Sequence, residues 1–438
     1  MLCRGVSASR VRGLSQLSKH LALPRISPRF IQSSSQASTN ASRSRLIAVA
    51  ASAGAVALAV SSVLILDNGP IKNDAPDPTP ALNAVPVTTT PVDYVPTGLK
   101  TEVGLPPLGS VYDIVPGLQK DLPTRQKMEI LLKYYQNEIV AAIEHADSSG
   151  RQFIRDEWSR GQNAGGGITR VFQDGQVFEK GGVNFSAIHG SLPPAAVQRM
   201  KANHKDLKVP ESGALPFYAC GLSLVIHPEH YLAPSVHMNY RYFETLNEDG
   251  TTQAWWFGGG QDLTPIYFDK QDAVHFHKLI KDVCDHHDAS YYGRFKKWAD
   301  EYFFIPFRGE ARGIGGIFFD DLNEKGQEET FQFVADALSR FVPSYLPAVR
   351  RAYEPSTEPR PADHEGRHWQ GIRRGRYTEF NLAVDRGTQF GLQTPGSRIE
   401  SILMTLPKQA SWEYNYHPKP GTLEAKTADV LKYPQEYV

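Results

Sequence analysis

The residues best suited to chemistry fall in short runs whose alternation decides which side chains share a surface. If 236–245 is a strand, His237, Asn239 and Arg241 project to one side and Met238, Tyr240 and Tyr242 to the other. An imidazole, an amide and a guanidinium in one row can exchange a proton near neutral pH and hold an anion. The same rule applied to GLSLVIHP (221–228) places Ser223, Val225 and His227 together, opposite Leu222, Leu224 and Ile226. Such alternation also describes any sheet with one wet face. Read as a strand, GRYTEFNLAVD (375–385) puts Tyr377, Glu379, Asn381 and Asp385 on one side. It ends in Asp385-Arg386-Gly387, at a rim where a ligand would enter.

Several other runs suit anions or flat ligands. A helix is expected over 395–406, with Thr394 as its N-cap and Pro395 at its first position. Its free N–H groups, with Arg398 beside them, form an anion cradle. Arg308 and Arg312 lie four apart beside glycines, and Arg373, Arg374 and Arg376 form a second cluster. Both are candidate docking points for a small polyanion, although a solvated face has the same appearance. In WWFGGGQDLTP (255–265) three glycines let backbone approach a flat ligand, and Asp262 follows as an acceptor for N–H groups. No Lys-Ser/Thr pair follows the glycines and no GxGxxG is present, so this is not a phosphate or dinucleotide loop.

The histidines invite a metal reading. His275 and His277 are two apart on an expected helix and do not face each other, and the adjacent His286 and His287 suit one ion poorly. His227-Pro228-Glu229 has the spacing of half a two-histidine, one-carboxylate iron site, with His237 or His417 as the third ligand.

These groups must be held by a larger frame. Residues 124–146 carry Met128, Leu131, Leu132, Tyr135, Ile139, Ala142 and Ile143 on one helical stripe. Asp174-Gly175 separates 168–173 from 176–180 as a hairpin, and 247–250 separates 235–245 from 251–259 as another. GGVNFSAIHG, FYACGLSLVIHP and GIGGIFFDD read as further strands. Helices are expected over 272–287 and 327–351, the second interrupted by Pro343 and Pro347. Strands joined by tight turns pair antiparallel, so the expected fold is α+β: one large antiparallel β-sheet flanked on both faces by α-helices, in a single catalytic domain over 111–438.

The whole chain has 438 residues, 47 basic and 47 acidic, so no global positive field points to nucleic acid. The balance is uneven. Residues 1–66 contain no Asp or Glu and eight Arg or Lys, which leaves 39 basic residues against 47 acidic ones in the remainder. The Ser-, Ala- and Arg-rich 1–45 reads as a mitochondrial transit peptide. Residues 46–66 are uncharged and long enough to span a bilayer, with Arg43 and Arg45 before them and Asp67 behind. That bipartite arrangement directs the body to the intermembrane space, with 46–66 as a possible inner-membrane tether. The Pro- and Thr-rich 67–110 reads as a linker. With Cys3, Cys220 and Cys284 alone, neither a disulfide framework nor a thiolate metal site is available.

Taken in order, GLSLVIHP, HMNYRYFE, WWFGGGQDLTP, RGIGGIFFDD, RRGRYTEFNLAVDRGTQFGL and TPGSRIESILM resemble the oxygen-dependent coproporphyrinogen-III oxidases, over more than 300 residues. The resemblance implies a homodimer that converts two propionates of coproporphyrinogen III to vinyl groups, giving protoporphyrinogen IX in haem synthesis. O2 is the co-substrate, CO2 and H2O2 are released, and no metal or organic cofactor is required. It also implies His237 as proton donor. Ser223, Asn239, Tyr240, Arg241, Gly396, Ser397 and Arg398 would contact substrate. Asp262, Arg312, Asp385 and Arg386 match the family's other active-site positions; from the residues themselves, Arg308 is a further substrate-binding candidate, and Asp262 and Asp385 are the candidate catalytic carboxylates. The segments 377–413 and 172–181 match dimerisation regions. Phe307 stands where many members have a histidine, a departure that bears on the interface. A free tetrapyrrole carrier with the same arginines is the non-enzymatic rival.

Overall fold

The computed structural model describes residues 95–438 apart from 162–163, 205–206, 212, 358 and 394–396. The transit-like segment, the apolar segment 46–66 and most of the expected linker therefore lie outside the described residues. Among the described residues no helix is long and apolar enough to cross a membrane.

Seven strands form one antiparallel sheet in sequence order: β1 (Ile154–Ser159), β2 (Gly165–Gln173), β3 (Phe178–Leu192), β4 (Leu215–Pro228), β5 (Ser235–Leu246), β6 (Thr252–Thr264) and β7 (Gly316–Leu322). Both expected hairpins are present. Asp174 takes φ 60°, and the carboxylate of Asp147 accepts the N–H groups of Gln176, Val177 and Phe178 behind the turn. GGVNFSAIHG is not a separate strand but the continuation of β3.

Helices cover both faces. On one lie α1 (Thr124–Asp147), α3 (Lys270–His287) and α5 (Gln327–Tyr353), with α4 (Tyr291–Tyr302) against β7. They bury the even positions of β5: Val236, Met238, Tyr240 and Tyr242 are all at most 1% exposed, as the alternation requires. The other face is covered in two patches. At one end α2 (Pro194–Asn203) packs Val197 and Met200 on Phe217, Phe243 and Trp256. At the other stand α6 (Asp363–Glu379), a π-turn at Phe380–Val384, α7 (Arg386–Gln393) and α8 (Ile399–Leu403). The short α9 (Leu423–Lys432) closes the chain. Between the two patches the sheet is uncovered.

Four expectations change. The body begins before 111, because Leu99 is buried and Val95 and Leu108 pack on the core. GRYTEFNLAVD is helix and π-turn, not strand: Trp369, Ile372, Arg373, Tyr377 and Phe380 are buried at three- and four-residue spacing, a period that begins well before the aromatic run. Tyr377, Glu379, Asn381 and Asp385 therefore share no strand face. The helix expected over 395–406 is described only as Ile399–Leu403 with Arg398 at its N-cap, and Thr394, Pro395 and Gly396 lie outside the described residues. Finally, α5 runs unbroken through Pro343 and Pro347. Pro347 cannot donate to the carbonyl of Pro343, and the ring Nε2 of His275 takes up that carbonyl at 2.9 Å.

Two buried histidines tie the frame together. His277 bonds the Tyr292 hydroxyl and the Ile314 carbonyl, and His227 bonds Ser235 Oγ and the Thr405 carbonyl. Burial pushes His277 down to about 4 and His227 down to about 3. Below the ordinary imidazole value the unfolded chain binds the extra proton first, so each histidine costs stability as pH falls. Burial raises Asp272 and Asp320, which act in the opposite sense over the same window. His277→Phe is therefore expected to lose less stability than the wild type between pH 7 and pH 5, by roughly 2 kcal/mol in urea unfolding.

Candidate active site

The uncovered part of the sheet floors a cavity of about 360 Å³. Register alone builds its floor. Thr169 of β2 pairs with Asn184 of β3, Asn184 with Ser223 of β4, Ser223 with Asn239 of β5, and Asn239 with Gly260 of β6. A polar row thus crosses the sheet at right angles to the strands. On one side runs a parallel row of Val225, His237 and Asp262; on the other run Ser186, Gly221, Arg241 and Gly258. The glycines keep the floor low. A Cβ on Gly258 would meet Arg241 Nε and Asp320 Oδ1, each at 2.7 Å.

His237 donates through Nδ1 to Asp262 Oδ1 at 2.9 Å. Arg312 holds the same carboxylate with both arms of its fork, Nε to Oδ2 at 2.9 Å and Nη2 to Oδ1 at 2.6 Å. An acceptor-only carboxylate at Nδ1 fixes the N–H there and leaves Nε2 as the second ring nitrogen. Burial alone would raise Asp262, but Arg312 and His237 together hold its carboxyl below the usual range. The guanidinium of Arg312 is packed by Phe303, Tyr377 and Phe380, with ring centroids 4.3, 4.9 and 4.6 Å away. Asp262 itself is fully buried behind His237 and Arg312 and does not line the cavity.

A second carboxylate does. Asp385, between the π-turn and α7, receives the Tyr302 hydroxyl on Oδ1 at 2.6 Å, and the Thr388 N–H and hydroxyl on Oδ2 at 2.8 and 2.7 Å. Arg241 donates to Asp320 at 2.9 Å and to Asn239 Oδ1 at 3.0 Å. Burial raises Asp320 even against the pull of Arg241. Arg398 bonds Asp156 of β1 and lies over the Trp158 ring. Each of these three arginines, Arg241, Arg312 and Arg398, carries a carboxylate partner.

Of the side chains singled out in the sequence, Ser223, His237, Asn239, Arg241, Arg312, Asp385, Ser397 and Arg398 line this cavity. Others do not. Tyr240 points to the opposite face and is buried in the core, as its even position on β5 demands. Arg308 is half exposed and forks onto Glu379 at 2.8 and 2.5 Å. Arg386 opens α7 next to Asp385 but is not a lining side chain. Gly396 lies outside the described residues. The cluster at 373–376 is structural: Arg373 pairs with Glu310, Arg374 with Glu179, and Arg376 with Glu310 and Glu379. The iron half-site is not assembled among the described residues, since both nitrogens of His227 are engaged and Glu229 is paired with Arg367. His286, His287 and Asp336 do come within 4.8 Å of one another, but Asp336 already accepts from His287 and from the Gly109 N–H.

Several lining residues escaped the sequence reading: Trp158, Arg160, Thr169, Asn184 and Tyr302. For Asn184 the signal was present, because GGVNFSAIHG alternates as Asn184, Ser186, Ile188. Tyr302 and Phe303 follow each other at the end of α4, and nothing in their spacing shows that one reaches Asp385 and the other Arg312.

A family model described as coproporphyrinogen III oxidase matches residues 127–437, and so takes in the whole sheet and every wall of the cavity. The chain belongs to the coproporphyrinogen III oxidase family. The oxygen-dependent coproporphyrinogen-III oxidase of Drosophila melanogaster is 52% identical over 314 residues, covering 72% of this chain and 78% of the relative. The mitochondrial enzyme of Homo sapiens is 50% identical over 314 residues, covering 72% and 67%. The chloroplastic enzyme of Glycine max is 46% identical over 323 residues, covering 73% and 81%. Within this family frame the sheet patch between the two helical covers holds a cavity with titratable side chains turned into it.

Proposed function

We propose that the chain is an oxygen-dependent coproporphyrinogen-III oxidase, converting two propionates of coproporphyrinogen III to vinyl groups. The observation that carries this reading is a cavity with a flat, glycine-lowered floor, several guanidinium groups and one inward carboxylate, in a chain of this family. Each propionate step balances as R–CH2–CH2–COO⁻ + O2 + H⁺ → R–CH=CH2 + CO2 + H2O2. Two electrons pass from the tetrapyrrole to O2, and one C–C bond and one C–H bond break.

The residues divide the work. Arg241, Arg312 and Arg398, with Ser223 and Asn239, hold propionates and ring edges. Asp385 accepts a pyrrole N–H, drawing electron density towards the carbon that will lose hydrogen and making the ring a better reductant. His237 exchanges a proton with reduced oxygen or substrate through Nε2. Asp262, expected with Asp385 to be a catalytic carboxylate, is a positioning residue here: it orients His237 and neutralises Arg312. The donor set is one of amides, hydroxyls, guanidinium groups and carboxylates already bound to arginine, which supports chemistry carried by the substrate ring without a metal or organic cofactor.

The finer placement belongs to the same proposal. A homodimer is supported by apolar side chains left exposed around 377–413 and beside it, with Phe307, Leu382, Trp412 and Tyr414 between 42% and 103% exposed. Mammalian relatives are named mitochondrial, and the acid-free N-terminal segment fits delivery to that organelle, with the intermembrane space and an inner-membrane tether through 46–66 as the bipartite reading. No nucleic acid partner is proposed.

Purified protein incubated with coproporphyrinogen III in air should consume O2, release H2O2 and yield a divinyl product, with turnover surviving exhaustive chelation. Binding without O2 uptake would make the chain a carrier. Loss of turnover on chelation would return the iron reading.

A further inference from the structure

We infer that Tyr302 is a positioning residue of the reaction, acting through Asp385; this rests on the reading of Asp385 as the acceptor of a substrate N–H. An ionised carboxylate offers about four lone-pair sites. Among the described residues Asp385 spends two on Thr388 and one on Tyr302, which leaves a single acceptor site, on Oδ1, the oxygen that Tyr302 touches. The direction of that last lone pair is set by where the phenol sits.

The phenol is held firmly. Its ring stacks on Phe318 at 4.1 Å and 11°, and meets Phe303 edge-on at 5.1 Å and Phe380 at 6.1 Å. These rings belong to one apolar cluster that also contains Ala299 and Ile305, at the junction of α4 and β7. Burial, reinforced by the neighbouring carboxylate, raises the Tyr302 hydroxyl well above the ordinary phenol value, so it stays a donor across the working pH range. Its hydroxyl has no other partner among the described residues.

Two different tasks therefore meet at the end of α4. Tyr302 aims Asp385, while the next residue, Phe303, packs the guanidinium that holds Asp262 and, through it, His237. The two carboxylate systems of the site are built from adjacent residues, which face opposite members of the pair.

A purely structural role is separable, because phenylalanine keeps every ring contact and removes only the hydroxyl. Tyr302→Phe is expected to lower kcat about ten-fold or more with KM for coproporphyrinogen III changed less than about two-fold, since hydrogen bonds to charged groups are the strong ones. In an Asp385→Asn background the same substitution is expected to change kcat less than about two-fold, because the partner it aims is gone. Urea midpoints of all three variants provide the folding control. Wild-type kcat in Tyr302→Phe, or an equal loss in both backgrounds, overturns the inference. Wild-type turnover in Asp385→Asn alone removes the reading it rests on, a result distinct from an inactive Asp385→Asn beside an unaffected Tyr302→Phe.

Discussion

Asp385→Asn is expected to lower kcat by about 10²–10⁴, the range a positioned proton-handling group supplies. The amide keeps the shape but exchanges one acceptor oxygen for an NH2 donor. Whichever way it turns, either Tyr302 or Thr388 faces a donor, or the substrate N–H does. The cap over the first turn of α7 is weakened as well, which costs about 1 kcal/mol. Most of the loss should therefore appear in turnover and little in folding. Steady-state O2 uptake and urea unfolding of the same preparation separate the two. A variant that turns over at the wild-type rate removes Asp385 from the chemistry.

Asp262→Asn is expected to act in the opposite proportion. The carboxylate is fully buried and pairs with Arg312, itself 2% exposed. Removing one member of a buried pair leaves the other charge without compensation, at about 3–5 kcal/mol. His237 also loses the acceptor that fixes its ring, so activity falls in whatever fraction remains folded. The discriminating variant is Asp262→Asn combined with Arg312→Met. With both charges gone, most of the stability should return, because an apolar replacement of a buried pair is often neutral. Activity should not return. A double variant as unstable as the single one would mean that packing, and not the unpaired guanidinium, sets the cost.

The sequence carried the sheet well and the helical wall poorly. Alternation placed His237, Asn239 and Arg241 opposite Tyr240 because period 2 is a property of extended backbone, and the register of β5 is unbroken over these residues. It also placed Ser223 and would have placed Asn184. It failed for 375–385, where a β-branched and aromatic run belongs to a helix whose buried spacing starts at Trp369. Arginines were legible as residues but not as pairs. Arg312 and Arg308 are four apart in a glycine-rich loop, yet one is sealed against Asp262 and the other lies outside on Glu379. Only the closing of the loop over β6 decides between them. Tyr240 was carried by likeness to a motif, and the alternation already argued against it.

The polar row across β2 to β5 has a consequence for tolerance to change. Its four members come from strands whose only shared constraint is how they slide past one another, so the floor is a vernier: it reads correctly at a single setting. A shift of β5 by one place would present Met238, Tyr240 and Tyr242 where His237, Asn239 and Arg241 now stand, swapping a wet surface for a greasy one. The turn at 174–175 sets β2 against β3, the short connection 229–234 sets β4 against β5, and β3 and β4 are joined through the longer segment that carries α2. Lengthening the turn at 174–175 would be felt at the cavity floor, whereas the hairpin at 247–250 sets only β5 against β6, one strand beyond the four-member row.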